Sequence, residues 1–367
     1  MKRREFFTAA GLFSGALFLP FSKLTGKNIF RGNAVKIWAE LIDYARWCPS
    51  PHNVQPWKMK LISEEEAHLY YDPGRLPFIV DGTSSFTTAG MGMFIECLDI
   101  AARPLGYKLV AEHEREKQMD ASAKEFKLFA RLYLIETKEK SEFDRELIRQ
   151  RRTARFHYDG MVLDASVITS LTRVAAEHGY NFIYSSDKEL IDYCINLNNQ
   201  TTLIRANEKE ACQEMCKWIR TTDKQAAEKK DGWWYRCTGI SARMLHNFFY
   251  NHRRFAGKWK TKRSLHMLNR TMDGTANLAW ISGPFENRTD WVNAGRMLQR
   301  LWLEMTKHNV YMHPFGPVIT TAGSNDQFRR YINFDETKGT LWFLVRMGYC
   351  NEPPRSFRLD TKDILMV

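Results

Sequence analysis

The sequence predicts an α+β fold that consists of two related halves. The same order of helical and strand-like segments occurs twice along the chain, and two distant helical segments match at one offset. A hydrophobic content of 44% over 367 residues can form a substantial core, so we expect a folded chain rather than a disordered one.

The first half is predicted to begin with a helix, because apolar residues recur at helical spacing from 35 to 47 and Asn33 is a suitable N-cap. Two short strands, a long helix and a buried strand follow. Their predicted bounds are 57–62 and 68–71 for the strands, 86–103 for the helix and 128–135 for the last strand.

The second half repeats this order. Asp164 is predicted to cap a helix that ends near His178, with a strand near Phe182 after it. The later elements are a strand at 278–281, a helix at 291–307 and a strand at 341–348.

A weak internal match supports two halves. Segment 92–98 resembles 295–301, and Gly106 falls opposite Asn309, although any two amphipathic helices share some of these features. We predict halves at 34–145 and 146–367 that arose by an ancient duplication.

An export signal is predicted at the start of the sequence. Arg3 and Arg4 precede an uncharged apolar run from 8 to 21, and the paired arginines resemble a twin-arginine signal. We assign 1–33 to this signal, or to an uncleaved anchor, plus a polar linker, and expect a periplasmic or membrane-anchored protein. The alternative is the ordinary basic N-terminus of a cytoplasmic protein.

The charge balance favours anionic partners. The 54 Lys and Arg against 42 Asp and Glu give a formal charge of +12, which suits phosphates, acidic membrane surfaces or nucleic acid without choosing among them. The seven cysteines are scattered, and Cys212 and Cys216 lack further residues at metal-ligand spacing. No metal site is predicted.

Two polar clusters are candidates for ligand binding. The loop from Pro49 to Trp57 combines prolines with Ser50 and Asn53, which can present hydrogen-bonding groups to a planar heterocycle. The segment from Arg151 to Arg155 offers guanidinium forks and a hydroxyl that suit a phosphate monoester. Taken singly, the loop is also explained as a helix-to-strand connection and the arginines as a solvated basic helix face.

Together these clusters resemble the nitroreductase superfamily of FMN-dependent oxidoreductases. The family's P-S-S-x-N-x-Q-P-W pattern is similar to Pro49–Trp57, and its R-R-S-x-R pattern is similar to Arg151–Arg155, in reversed order. Beyond residue 34 the chain resembles the fused, two-lobed Acg-type subgroup. This implies a nitroreductase-like fold, internally duplicated as a pseudo-dimer of two antiparallel-sheet and helix halves around one FMN, the mirror-image site being lost.

The resemblance also implies which residues contact the flavin, including Pro314–Gly316 beside the ring edge and a basic residue near the phosphate at Arg355 or Arg358. The full predicted set is Pro49, Ser50, Asn53, Arg151, Arg152, Thr153, Arg155, Pro314, Phe315, Gly316, Arg355 and Arg358. No catalytic side chain is predicted, since a flavin itself carries out the electron transfer. His52 is interpreted as structural rather than as a proton donor.

Two functions follow from this resemblance. The first is an oxidoreductase that reduces a nitroaromatic, a quinone or a similar small molecule, with NAD(P)H as donor, or a membrane or redox-protein donor if the chain is exported. The second is a protein that stores FMN without turnover. A basic interaction module without flavin is a third interpretation. The fused halves imply a monomer.

An insertion at 232–272 is rich in basic and aromatic residues and contains no Asp or Glu. We interpret it as a lid over the flavin or a solvated insertion, with a membrane or partner surface as the alternative. Nucleic-acid binding is not expected, because an export signal is predicted at the start of the sequence.

Overall fold

The structure, a computed structural model, describes residues 27–113, 118–250 and 258–366. The predicted export signal lies outside the described residues. Within these ranges no helix has the length and apolar character needed to cross a membrane.

The first half is an antiparallel sheet packed on helices. Its elements are α1 (Lys27–Ala45), β1 (Trp57–Leu61), β2 (Glu66–Tyr71), α2 (Ser85–Ala102), β3 (Tyr107–His113) and β4 (Lys127–Glu136). The strand order is β1-β2-β4-β3, and each neighbouring pair in it is antiparallel. Nearly every residue of α2 is buried, as expected for a helix surrounded by protein on all sides.

The second half contains more elements. From its start to the end of the insertion these are α3 (Glu146–Gln150), α4 (Ala165–Ala176), β5 (Asn181–Ser185), α5 (Lys188–Asn207), α6 (Lys209–Lys217), β6 (Ile219–Arg220), α7 (Asp223–Lys229), β7 (Trp233–Trp234), α8 (Ala242–Tyr250) and α9 (Lys258–Arg270). They are followed by β8 (Asn277–Gly283), α10 (Arg288–Lys307), β9 (Tyr311–Pro314), α11 (Gly316–Thr320), α12 (Ala322–Tyr331), β10 (Thr340–Gly348), α13 (Thr361–Ile364) and β11 (Leu365–Met366).

The two halves share one topology. The second sheet has the order β5-β8-β10-β9, which matches β1-β2-β4-β3 element for element, and the long helices α2 and α10 occupy the same place in the two halves. The α+β class and the arrangement of two antiparallel-sheet and helix halves are therefore confirmed.

Helices α2 and α10 pack against each other through a reciprocal contact of two glycines. A β-carbon at Gly92 would overlap the backbone of Val292, and a β-carbon at Gly295 would overlap the backbone of Ala89. Val292 precedes Gly295 by three residues, just as Ala89 precedes Gly92, so the same contact occurs twice. Such reciprocity is the mark of a two-fold interface, here within one chain.

The turns that follow these two helices also correspond. Gly106 after α2 and Asn309 after α10 both have left-handed backbone angles, with φ of 84° and 54°. One apolar core, which includes Trp57, Phe94 and Trp342, runs through both halves.

Three predictions about the fold need correction. Helix α1 begins at Lys27, so the expected cap Asn33 lies inside the helix, and the polar linker assigned up to residue 33 is helical from Lys27 onward. Strands β3 and β9 were not predicted. Strand β11 pairs in parallel with β1, Leu365 opposite Met59, so the first sheet takes an edge strand from beyond the predicted boundary at 146.

Candidate functional site

The loop predicted to contact a ligand follows α1 and is held in a strained conformation. His52, Asn53 and Gln55 have positive φ angles of 50°, 58° and 49°, which are uncommon for residues other than glycine. The Ser50 hydroxyl oxygen accepts a hydrogen bond from the Gln55 amide at 3.1 Å. Backbone strain of this kind persists where surrounding contacts enforce it, and it is concentrated at functional sites.

Gln55, which the sequence analysis did not single out, joins this loop to two distant segments. It is fully buried; its Nε2 donates to the Lys230 carbonyl at 2.8 Å, and its Oε1 accepts from the Leu359 amide at 2.9 Å. The loop, the segment just before the insertion and the segment after β10 are therefore held in one arrangement.

Asn53 has a similar joining role. Its Nδ2 donates to the carbonyls of Gly232 and Phe357, each at 3.1 Å, so this nitrogen is engaged with the protein. Its Oδ1 is buried without a hydrogen-bond partner among the described residues. The structure thus leaves the oxygen, and not the nitrogen, for contact with a ligand.

The segment from Arg151 to Arg155 lies beside β9. The Ala154 amide donates to the Met312 carbonyl at 3.1 Å, which fixes the backbone of the segment. Arg151 is only 5% exposed, and its guanidinium lies 4.4 Å from the ring centre of Trp302. The two predicted clusters, far apart in sequence, meet at one cavity.

We call this the arginine cavity; its volume is about 80 Å³. Predicted residues that line it are Pro49, Ser50, Asn53, Arg151, Arg152, Thr153, Arg155, Arg355 and Arg358. Residues in its wall that the sequence analysis missed are Trp47, Gly232, Trp233, Trp234, Cys237, Thr238, Pro354 and Ser356. Five arginines thus converge from two segments, while the described lining contains no Asp or Glu.

Many guanidinium nitrogens at this cavity are buried without a partner. The orphaned atoms among the described residues are Arg151 Nε and Nη1, Arg152 Nε, Arg355 Nε and Nη2, and Arg358 Nε. Arg152 also pairs with Glu352 at 3.0 Å, outside the described lining. Buried polar groups in native proteins are nearly always hydrogen-bonded, so this set of donors indicates a ligand with several acceptor oxygens.

The electrostatics indicate that the ligand is an anion. Burial, together with the neighbouring Arg358, lowers the pKa of Arg151 to about 9. Burial and the surrounding arginines likewise lower the pKa values of Arg355 and Arg358 to about 10. A buried cation without a counterion is costly, whereas a phosphate would supply both the charge and the acceptor oxygens.

A second, larger cavity adjoins the first. This apolar cavity has a volume of about 400 Å³ and shares six wall residues with the arginine cavity: Pro49, Ser50, Thr153, Arg155, Trp233 and Thr238. Its volume is within the range of small-molecule pockets. Both halves contribute to its walls, with Phe86, Met93, Leu298, Trp302, Trp342 and Phe343 among them.

The insertion forms part of the wall of the apolar cavity. Residues contributed from the predicted range 232–272 are Trp233, Thr238, Ile240, Leu245, Phe248, Phe249, Leu268, Thr271 and Met272. Helices α8 and α9 of this range were not predicted as helices. Leu245, Phe248 and Phe249 of α8 and Leu268 of α9 line the cavity, which is compatible with the predicted lid.

The predicted ring-edge residues are only partly suited to their role. Pro314 and Gly316 line the apolar cavity, but Phe315 is fully buried outside it. The Phe315 amide donates to the Leu344 carbonyl at 2.8 Å, and Pro314 has no amide hydrogen. The Phe315 amide is therefore engaged in the sheet, and Gly316 is the better placed of the three, whereas the assignment of all three to the flavin stays a prediction.

Two histidines, His52 and His313, line the apolar cavity and are held neutral. Burial and the nearby Arg155 lower the pKa of His52 to about 4. Burial, with Arg346 and Arg155, lowers the pKa of His313 well below its ordinary value.

The low pKa of His52 predicts a pH-dependent stability. Between about pH 6.5 and 4 the unfolded chain takes up a proton at His52 that the folded state does not. The contribution of neutral His52 to the stability of the folded state is therefore complete above pH 6.5 and is lost as the pH falls through 4. As the pH falls over this range, the free energy of unfolding of the wild type should decrease by about 1 to 3 kcal/mol more than that of His52→Asn. Asparagine is chosen because it tolerates the positive φ. Urea denaturation of both proteins at pH 7 and pH 4 measures the difference, and parallel pH profiles would contradict the assignment.

The position related to this site by the internal two-fold is filled by ion pairs. Glu96 on α2 is 1% exposed and accepts hydrogen bonds from Arg296 and Arg300 on α10 at 2.7 and 2.6 Å. Although burial raises it, these cations hold the pKa of Glu96 below its ordinary value. The corresponding places on α2 hold Met93 and Cys97, and Met93 lines the apolar cavity. The two sides of the molecule are therefore chemically different.

Comparison with known proteins returns flavoproteins of low similarity. A nitroreductase with bound FMN from Desulfitobacterium hafniense DCB-2 has 12% identity and a TM-score of 0.36, covering 60% of this chain and 96% of its own. The FMN-dependent nitroreductase NfnB from Mycobacterium smegmatis, in complex with NADPH, has 12% identity and a TM-score of 0.31 over 56% and 86%. A BluB-like flavoprotein from Clostridium difficile 630 has 9% identity and a TM-score of 0.36 over 60% and 97%.

No protein-family model and no curated protein matches the sequence. The solved structures are of the class that the two sequence motifs resemble.

Proposed function

We propose that the chain binds one FMN and acts as an oxidoreductase of nitroreductase type. The phosphate would occupy the arginine cavity and the ring system the adjoining apolar cavity. The observation that carries this proposal is the set of buried, unpartnered guanidinium nitrogens beside a larger apolar space. A phosphate ester of a planar heterocycle needs both features at once: donors for the phosphate and an apolar space for the ring.

The residues of the chain have separate tasks in this proposal. Arg151, Arg355 and Arg358 would hold the phosphate, while Ser50 and Thr153, which border both cavities, would contact the chain between phosphate and ring. The apolar wall excludes water from the ring. When bound, FMN supplies two-electron transfer, so the protein needs to hold and orient it rather than provide an acid–base pair.

The electron acceptor is proposed to be a nitroaromatic, a quinone or a similar small molecule. NAD(P)H is the proposed donor if the protein stays in the cytoplasm. We propose that the sequence from 1 to 33 directs export, in which case a membrane or redox-protein donor replaces NAD(P)H. The fused halves, whose two-fold contact lies within one chain, favour a monomer, and the basic insertion favours association with an acidic membrane surface.

Reconstitution with FMN tests the binding proposal. We expect one FMN per chain, and at a free concentration of 100 times Kd a gain in unfolding free energy of about 2.7 kcal/mol. A preparation that stays colourless and gains no stability with FMN would leave the basic interaction module as the better interpretation. Riboflavin, which lacks the phosphate, is the matched control and should stabilise the chain far less.

Storage of FMN is the second candidate, and the lid position of the insertion favours it. Anaerobic reduction of the bound flavin by dithionite, followed by timed reoxidation with menadione, separates the two functions. An oxidoreductase should reoxidise faster than free FMN, since its apolar cavity admits the acceptor. Reoxidation no faster than that of free FMN would support storage.

A further inference from the structure

His313 and Arg346 form a cross-strand pair in the wall of the apolar cavity. They lie opposite each other on β9 and β10, and Arg346 Nε donates to His313 Nδ1 at 3.2 Å. Arg346 is fully buried, whereas His313 keeps accessible surface and lines the cavity. The pair is not part of the predicted flavin-binding set.

The guanidinium of Arg346 is fixed by the protein on every side. Its Nη1 donates to Thr275 Oγ1 at 3.0 Å, and its Nη2 donates to the carbonyls of Phe156 and Thr271 at 2.7 and 3.2 Å. Its carbon lies 4.4 Å from the ring centre of Tyr158. Arg346 therefore cannot turn away from His313 without losing several buried hydrogen bonds.

This arrangement determines where the imidazole proton resides. A guanidinium has hydrogen-bond donors and no acceptor, so the nitrogen that faces it must present a lone pair. In a neutral imidazole the proton then resides on the other nitrogen, Nε2. A ring turned by 180° would place a C–H group against Arg346 Nε and leave a buried donor unpaired, which disfavours that orientation.

The charged groups that face His313 act in the same direction. Arg346 and Arg155 are both cations, and the aromatic neighbour is the uncharged ring of Phe315. Protonation of Nδ1 would require His313 to give up its bond to Arg346 and to place a third positive charge among them. Burial and these cations keep the pKa of His313 well below its ordinary value.

Nε2 is free to bind a ligand. It has no hydrogen-bond partner among the described residues, and it is not among the fully buried orphaned atoms. A single oriented N–H group in a largely apolar cavity provides direction without charge, and it pairs with an uncharged acceptor atom.

We infer that His313 is a positioning residue whose Nε2–H group orients an uncharged oxygen or nitrogen acceptor of a planar ring in the apolar cavity, with Arg346 setting its tautomer. This inference rests on the proposed function for the identity of the ring, which is either the bound flavin or the molecule that the flavin reduces. His313 transfers no proton in this role.

The tautomer can be tested without any cofactor. In protein labelled with ¹⁵N at histidine, the long-range ¹H–¹⁵N spectrum should show His313 as the neutral Nε2–H tautomer throughout pH 5 to 9. A protonated ring or an Nδ1–H tautomer in this range would overturn the inference. This result stands whether or not the chain binds FMN, so it separates a failure of the inference from a failure of the proposed function.

Two substitutions test the role in binding. His313→Phe keeps a planar ring but removes the donor, and should raise either the Kd for FMN or the KM for menadione about tenfold. His313→Gln keeps an N–H donor and should restore the affected constant to within about threefold of wild type. His178→Phe, at an exposed position that lines neither cavity, is the matched control and should change neither constant.

The two constants identify the ring. A raised Kd for FMN with an unchanged KM would assign the acceptor atom to the flavin, and the reverse would assign it to the electron acceptor. If neither constant changes in His313→Phe, or if His313→Gln is as impaired as His313→Phe, the positioning role is wrong.

Discussion

Replacing Arg358 by methionine is expected to weaken FMN binding by about 30-fold to 1,000-fold. The substitution removes a buried guanidinium that is proposed to bind the phosphate, and loss of one partner from such a charged pair costs about 2 to 4 kcal/mol. The stability of the FMN-free protein, by contrast, should increase. Arg358 Nη1 donates a hydrogen bond to the carbonyl of the preceding residue, Phe357. The charge of Arg358 lies among other arginines. Its removal should therefore raise the stability without ligand by about 1 kcal/mol.

Opposite changes in ligand affinity and in unliganded stability distinguish a binding residue from a structural one. The two measurements are fluorescence titration with FMN and urea denaturation without it. Arg173→Met provides the matched control, since it removes the same charge from an exposed residue paired with Glu142 and Glu177, and should leave FMN affinity unchanged. If Arg358→Met destabilises the FMN-free protein and binds FMN normally, Arg358 supports the fold and the phosphate lies elsewhere.

Replacing Gly295 by alanine is expected to destabilise the protein by about 3 kcal/mol. In an exposed helix this change would stabilise by about 1 kcal/mol, because alanine has the higher helix propensity. Here the β-carbon would overlap the backbone carbonyl of Ala89 on the facing helix. A backbone carbonyl within a helix cannot move aside as a flexible side chain can, so α2 and α10 must separate along their whole contact.

Gly323→Ala is the control for this experiment. Gly323 lies in α12, and an added β-carbon there would meet no atom within 4 Å. Urea denaturation should show this variant to be as stable as wild type or slightly more stable. Equal stability of Gly295→Ala and Gly323→Ala would contradict the close helix contact and, with it, the internal two-fold.

The elements that the sequence predicts best are those with long apolar periodicity. The predicted helix at 86–103 is observed at Ser85–Ala102, and the predicted strand at 128–135 at Lys127–Glu136. Strand β3 escaped prediction because Val110, between Leu109 and Ala111, is apolar although it is exposed, so the alternation in burial does not appear as alternation in the sequence. Strand β11 has two residues and forms only because β1 offers it a free edge, which no local pattern can reveal.

Only part of the candidate site could likewise be predicted from the sequence. The loop at 49–57 and the arginine segment could be found because each is a compact motif of unusual composition. Gln55 was part of that motif, but its contacts with Lys230 and Leu359 depend on the fold and not on its sequence neighbours. Trp233 and Trp234 reach the arginine cavity from the insertion, where nothing in the local sequence specifies what they face.

The parallel pairing of β11 with β1 bears on the order in which the molecule is made. Synthesis begins at the other end of the chain, so a nascent polypeptide extending only to β10 lacks an edge strand of its first sheet as well as Arg355 and Arg358. The complete first sheet and the complete lining of the arginine cavity therefore form only after the segment from Arg355 to Met366 has been synthesised. In the proposed function, FMN binding therefore follows translation of this region rather than guiding the folding of the nascent first half.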